Sequence, residues 1–205
     1  MREEKLMTKM WIPGIEVESA HGTREVSLVT RHFMNRRIFL NGEVDGNMAD
    51  DFLAQMLYLE QVSDEPITIY INSPGGRVTD GLMIYDAIQG CKTPINMVCT
   101  GMAASMGAII LAGGQPGRRF ILKHSKVMIH EPLIAGGVGG SATSIRNISE
   151  SILETRAICN RILAEHTGKT VEEIDEATGY DHYMNAEEAV AFGICDAITP
   201  SIQIA

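Results

Sequence analysis

Ser105 sits in the run Gly101-Met-Ala-Ala-Ser105-Met106-Gly107, after an apolar strand-like stretch (Ile95 to Thr100) and at the start of a small-residue, helix-like one (about Ala104 to Ala112). At such a junction a hydroxyl points out of a sheet edge, and the helix N-terminus favours negative charge developing beside it. The small neighbours leave room for a substrate backbone, although the same run also reads as tight helix packing through Gly, Ala and Ser. A serine hydroxyl attacks poorly without a base. Among six histidines, His130 is the best placed, because it closes a short strand (Val127 to Ile129) expected to finish at the same edge. His124 lies in a turn, His21 and His32 lie near the N-terminus, and His166 ends a long helix, where it reads as a C-terminal cap.

A catalytic imidazole needs an acceptor on its other nitrogen to hold tautomer and orientation. Asp181, in the turn Gly179-Tyr180-Asp181-His182 ahead of Asn185, is the candidate. A local turn acceptor is an equally good reading of that aspartate. His182 is a second candidate base, but adjacent side chains diverge. Two backbone N–H groups would stabilise the oxyanion of acyl transfer, each worth ~3 kcal/mol in the transition state. Gly76 and Met106 are the natural donors. Gly75-Gly76 brings main chain to a ligand with no Cβ in the way, although a Gly-Gly after a strand also serves as a plain turn.

Elements must bring these groups together. From Arg36 the chain alternates strand and helix: a strand over Arg37 to Leu40 with a turn at Asn41-Gly42, a helix over Asn47 to Val62, a buried strand over Ile67 to Ile71 ended by Asn72-Ser73-Pro74-Gly75-Gly76, and a helix over Thr79 to Gln89. The strand at Ile95, the small-residue helix, and short strands at Phe120 to Leu122 and Val127 to Ile129 follow. This rhythm predicts an α/β fold with a mainly parallel sheet whose ligands sit beyond the carboxyl ends of its strands. Gly75-Gly76, Gly101 to Ser105 and His130 all fall at strand ends.

The glycine loop Gly136 to Gly140 precedes a helix over Ala142 to His166. Ile145, Ile148, Ile152, Thr155, Cys159 and Ile162 form a narrow seam on it, of the kind that faces a partner helix. Residues 165–188 hold eight acidic residues against one Lys, mostly solvated helix faces. Asn185 and Glu188 form a capping pattern before a helix that Gly193 closes, and a last strand is expected over Ile194 to Ile198. Residues 1–35 show no core-quality periodicity and read as an irregular arm.

Composition narrows the class. The chain has 205 residues, 45% hydrophobic and 21% charged, with a net charge of −9. That is ordinary globular composition, and the acidic balance argues against nucleic acid as a partner. The longest apolar stretch, Ala108 to Ala112, is far short of the ~20 residues of a membrane span. Met1 to Trp11 is mixed in charge with no apolar segment behind it, so no signal peptide is expected. Four cysteines, at 91, 99, 159 and 195, lack metal or redox spacing and read as reduced, buried side chains in a cytoplasmic protein. No metal site is expected.

At these residues the sequence resembles the proteolytic subunits of the ATP-dependent Clp proteases, the ClpP family. The matching stretches are INSPGG (Ile71 to Gly76), GLMIYDAI (Gly81 to Ile88), GMAASMGA (Gly101 to Ala108), KVMIHEP (Lys126 to Pro132), HTGKT (His166 to Thr170) and NAEEAVAFGICD (Asn185 to Asp196). The resemblance implies a ClpP/crotonase-type fold of repeated β-α-β units over residues 36–200, with a protruding handle over 131–166. It implies a serine endopeptidase with Ser105, His130 and Asp181 as catalytic set and Gly76 and Met106 as oxyanion donors. No cofactor is implied in this chain, because ATP is used by a partner. The implied partners are further copies of the chain, as two stacked heptameric rings forming a tetradecamer, and a AAA+ ATPase that feeds in unfolded polypeptides. A second ClpP-like subunit in a mixed ring, or a crotonase-type acyl-CoA enzyme, are the alternatives.

The chain departs from the family pattern in places. Where the family commonly has an Arg before the catalytic Asp, and an Asp before that, this chain has Tyr180 and Gly179, so the ring–ring salt bridge those residues make is not expected. The glycine loop is slightly long. The docking cleft commonly lined by two tyrosines has Thr68 and Tyr70.

Overall fold

The computed structural model describes residues 14–19, 22–134 and 136–204, so the reading of Met1 to Trp11 and the placement of His21 lie outside the described residues. The chain divides into two units, Met1–Arg37 and Ile38–Ala205. In the first, β1 (Gly14–Ser19) and β2 (Gly22–Ser27) pair antiparallel, with Ile15 opposite Val26. α1 (Leu28–Met34) follows, and its Ser27 cap accepts from Thr30 N at 3.0 Å. The sequence predicts irregular chain here, and the difference has a local cause. A hairpin and a serine cap satisfy the backbone without a core, and none of α1 is buried.

The second unit is built on β3 (Arg37–Val44), α2 (Gly46–Val62), β4 (Ile67–Gly76), α3 (Val78–Gly90), β5 (Ile95–Ala104), α4 (Met106–Ala112), β6 (Arg119–Leu122) and β7 (Lys126–Ile129). α5 (Ala142–Thr167), α6 (Val171–Thr178), β8 (His182–Met184), α7 (Ala186–Phe192) and β9 (Ala197–Thr199) complete it. The seven-stranded sheet runs β3-β4-β5-β6-β9, with β7 pairing β5 and β8. The β4–β5, β5–β6, β6–β9 and β5–β7 pairs are parallel, and β7–β8 is antiparallel. Helices on both faces of a parallel sheet bury its strands on both sides. That is why Ile67 to Ile71 is buried at every position. α2 contributes Ala49, Phe52, Met56 and Leu59, one stripe at helical spacing, to the same core.

β5 is the pivot of the site. Its first half, Met97 to Cys99, pairs with β6, and its second half, Met102 to Ala104, pairs with β7. The strand therefore outruns the sequence expectation of Thr100 and delivers Ser105 beside β7. β4 also runs past its expected end, with a register shift between Ile71 and Ser73. Asn72 Oδ1 accepts from Met102 N at 3.2 Å across that irregularity. Likewise β3 continues through Asn41-Gly42, where Gly42 at φ +97° bends the strand without reversing it. The last strand begins later than predicted, because the amides of Ile194 and Cys195 close the end of α7 on Ala189 O.

All four cysteines are free and buried. Burial pushes the thiols of Cys91, Cys99 and Cys159 up to about 11 and that of Cys195 further still. Among the described residues no helix is long and apolar enough to cross a membrane.

Candidate active site

Ser105 joins β5 to α4 with φ +52° and ψ −121°, a conformation L-residues avoid. Such a backbone costs of order 1–3 kcal/mol and persists only where its surroundings over-determine it. Here Ser105 N donates to Met128 O at 2.8 Å, and Ser105 O accepts from Ala108 N at 2.9 Å and Ile109 N at 3.2 Å. The turn is fixed from both sides, and it projects the hydroxyl off the strand end, the geometry of a nucleophile elbow. The Oγ lies 2.9 Å from His130 Nε2.

The other imidazole nitrogen faces Asp181, with Nδ1 3.4 Å from Oδ1. Register explains the meeting. β7 and β8 pair antiparallel with Ile129 opposite His182, so the residue after Ile129 falls across from the residue before His182. β8 has only three residues and carries no strand signature, so the sequence reading has only a turn over Gly179 to His182 and no strand after it. The Asp181 side chain is 62% exposed against 15% for His130. If Asp181 is the orienting carboxylate that the resemblance implies, its exposure leaves part of the imidazole's orientation open to solvent. Asp181→Asn is therefore expected to lower kcat/KM by about 10²-fold, short of the ~10⁴-fold cost where such a carboxylate is buried. Initial rates on a fluorogenic peptide measure it.

The glycine pair approaches the same point. A Cβ on Gly75 would stand 2.6 Å from Ser105 Cβ and 3.0 Å from Met106 N, and one on Gly76 would stand 2.2 Å from Val44 O. Gly75 also has φ +91°. No larger residue fits, so the main chain of β4 comes within reach of the Ser105–Met106 turn. Gly75 N is held by Ser73 Oγ at 3.1 Å.

Gly76, Ser105 and His130 line one cavity of about 410 Å³, together with Glu43, Arg77, Val78, Pro132 and Leu133. An apolar groove of similar volume shares Val78, Pro132 and Leu133 and continues to Ile148 and Ile152 of α5. An extended peptide over Ser105 would meet apolar surface on that flank.

Other sequence candidates go elsewhere. His166 is no cap: Gly168, at φ +74°, closes α5. The His166 ring instead meets the Tyr85 hydroxyl at 2.8 Å, and burial holds its pKa below the usual imidazole range. His182 stacks on Tyr180 and meets Phe192 edge-on, and its Nδ1 is buried without a hydrogen-bond partner among the described residues. His32 lies 3.4 Å from Arg37 Nη1 within the first unit. Tyr70 stacks on Phe39 and donates its hydroxyl proton to Ile202 O at 2.8 Å, and Thr68 is buried. Tyr180 is exposed. On α5, Ile145 and Ile148 are exposed while Cys159 is buried, so the seam is covered only toward its C-terminal end.

One edge of the mainly parallel α/β sheet thus presents a strained serine elbow, a bonded imidazole and a glycine shelf. The model of the Clp protease family matches residues 20–201, and the chain belongs to that family of peptidases.

Proposed function

We propose that this chain is a serine endopeptidase of the self-compartmentalising kind. Ser105 attacks the scissile carbonyl while His130 takes its proton through Nε2. His130 then returns the proton to the leaving amine. Asp181 holds the imidazole with Nδ1–H toward itself. The N–H groups of Gly76 and Met106 receive the oxyanion. Water repeats the cycle on the acyl-enzyme. The observation that carries this reading is the 2.9 Å contact between His130 Nε2 and a Ser105 Oγ presented on a strained elbow. Substrates on this reading are unfolded polypeptides cut to short peptides inside stacked heptameric rings, with a AAA+ ATPase feeding them in. The exposed Ile145 and Ile148 of α5 support further copies as neighbours.

A fluorophosphonate probe is expected to form an adduct on Ser105, located by peptide mass spectrometry, and to stop cleavage of a fluorogenic peptide in proportion to labelling. An adduct elsewhere with cleavage intact would defeat the assignment. The 3.4 Å, largely exposed Asp181 contact favours one variant of the reading, in which alignment tightens when a partner ring docks. Strong labelling of the chain alone counts against that variant, and labelling that rises on mixing with a second ClpP-like subunit supports it.

A further inference from the structure

Behind His130 lies a charged cluster that the chemistry above does not use. Arg156, on α5, places Nε 3.1 Å from Glu131 Oε2 and Nη2 3.5 Å from Asp175 Oδ1; these are charge contacts rather than directed hydrogen bonds, since Nε is buried without a hydrogen-bond partner among the described residues. Glu131 directly follows His130. Asp175 lies in α6, whose end leads through Gly179 and Tyr180 into Asp181. One guanidinium thus spans the segment carrying the base and the segment carrying its carboxylate. Beneath it, Asn160, also on α5 and 1% exposed, donates from Nδ2 to Asp175 Oδ1 and accepts from the fully buried Thr178 Oγ1 at 3.5 Å.

The place of this cluster matters more than its strength. The β7–β8 ladder ends at Ile129 opposite His182. His130 and Asp181 lie one residue beyond, where two paired chains are free to splay. Past them the segments are joined again by Glu131 N donating to Thr178 O at 2.8 Å and by the Arg156 fork. The imidazole–carboxylate contact sits between two clamps. Ion pairs with half-exposed partners add little to stability, but a single positive charge set between two carboxylates draws both segments toward α5.

We propose that Arg156 is a positioning residue, which keeps His130 and Asp181 in reach by bridging Glu131 to Asp175 and so makes their geometry depend on the placement of α5. The proposal rests on the serine-peptidase reading above. A misplacement of about 1 Å in a catalytic group can cost ~10²-fold, so Arg156→Met is expected to lower kcat on a fluorogenic peptide by about tenfold or more. KM should stay within about twofold, because Arg156 lines neither cavity at the site. Fluorophosphonate capture of Ser105 should slow by a similar factor, with the melting temperature little changed. Arg156→Lys, which keeps the charge without the fork, should recover part of the loss.

The decisive measurement is a double-mutant cycle. In an Asp181→Asn background, Arg156→Met should cost less than about threefold, because the contact it positions is already gone. An undiminished loss in that background, or an unchanged kcat in the single variant, overturns the proposal. If Arg156→Met fails to fold, Glu131→Gln removes one arm of the fork and is read the same way. A kcat loss in Glu131→Gln only in step with a collapsed melting temperature would show mere structural support and also overturn it. A wild-type chain that never labels at Ser105 would instead bring down the serine reading, whereas one that labels as fast as Arg156→Met removes only the positioning role.

Discussion

Ser105→Ala is expected to lower peptide hydrolysis by about 10⁵- to 10⁶-fold while leaving the fold intact. The magnitude follows from how a nucleophile and base act as a unit: losing either costs nearly as much as losing both, and what remains comes from the oxyanion site and binding. His130→Ala should therefore fall to a similar level, and the double variant should be no worse than either single one. The fold should survive because, among the described residues, the one hydrogen bond shown for Ser105 Oγ is to His130. The main-chain bonds that hold the elbow, to Met128, Ala108 and Ile109, do not involve the side chain. Initial rates on a fluorogenic peptide, using protein from a host without its own copy of such a peptidase, give the answer. More than about one per cent of wild-type activity in Ser105→Ala, with labelling still found on another residue, would move the chemistry elsewhere. Additive losses in the double variant would mean that Ser105 and His130 do not act together.

That prediction was available from the sequence because the groups concerned sit where one-dimensional signals are strong. Ile67 to Ile71 and Ile95 to Cys99 are mainly apolar runs, each interrupted by one polar residue (Thr68, Asn96), so their strands and the parallel sheet are legible. Ser105 is legible as the residue after such a run. Asn185 and Glu188 bond reciprocally, with Glu188 N to Asn185 Oδ1 at 2.9 Å and Asn185 N to Glu188 Oε2 at 2.8 Å, so that helix start is fixed by four consecutive residues. What was hidden depends on pairing between distant segments. The three residues of β8 become a strand only because β7 lies beside them. His166 looks like a helix terminus until Tyr85, 81 positions earlier in the chain, is brought against it. The Arg156 fork is equally silent, because Glu131, Arg156 and Asp175 share no periodicity that a sequence displays. In the site itself the residue types were readable, but the register that sets His130 across from Asp181 was not.

A second large effect is expected far from the cavity, at a pair with no sequence signature. The Arg119 side chain is 8% exposed, with Nη2 2.5 Å from Asp196 Oδ1 and Nε 3.1 Å from Oδ2. Arg119 N also donates to Oδ2 at 2.9 Å, and Nη1 reaches His166 O at 2.9 Å and Ala112 O at 3.3 Å. One guanidinium thereby joins the ends of α4 and α5 to the start of β6 and the approach to β9. Removing one partner of a buried pair strands the other charge in a poor solvent, at a cost of about 3–5 kcal/mol. Asp196→Ala should therefore lower the melting temperature by about 10 °C, given ~2–4 °C per kcal/mol for a chain of this size. The pH dependence carries the same signature. Burial alone would raise the Asp196 carboxyl, but the hydrogen bonds and charge of Arg119 outweigh it and hold the pKa below the usual carboxylate range. A carboxylate depressed in the folded state contributes stability that is fully present above its unfolded pKa of ~3.9 and is lost as pH falls through the folded value. Melting curves between pH 7 and pH 3 should therefore show the wild type beginning to give up its advantage over Asp196→Ala only below about pH 4, with the gap narrowing further as pH falls toward the depressed folded pKa. A paired replacement, Arg119→Met with Asp196→Leu, should recover much of the loss, because apolar residues of similar volume can match a buried ion pair. If Asp196→Ala melts within about 2 °C of wild type at pH 7, the pair is not holding these four segments together.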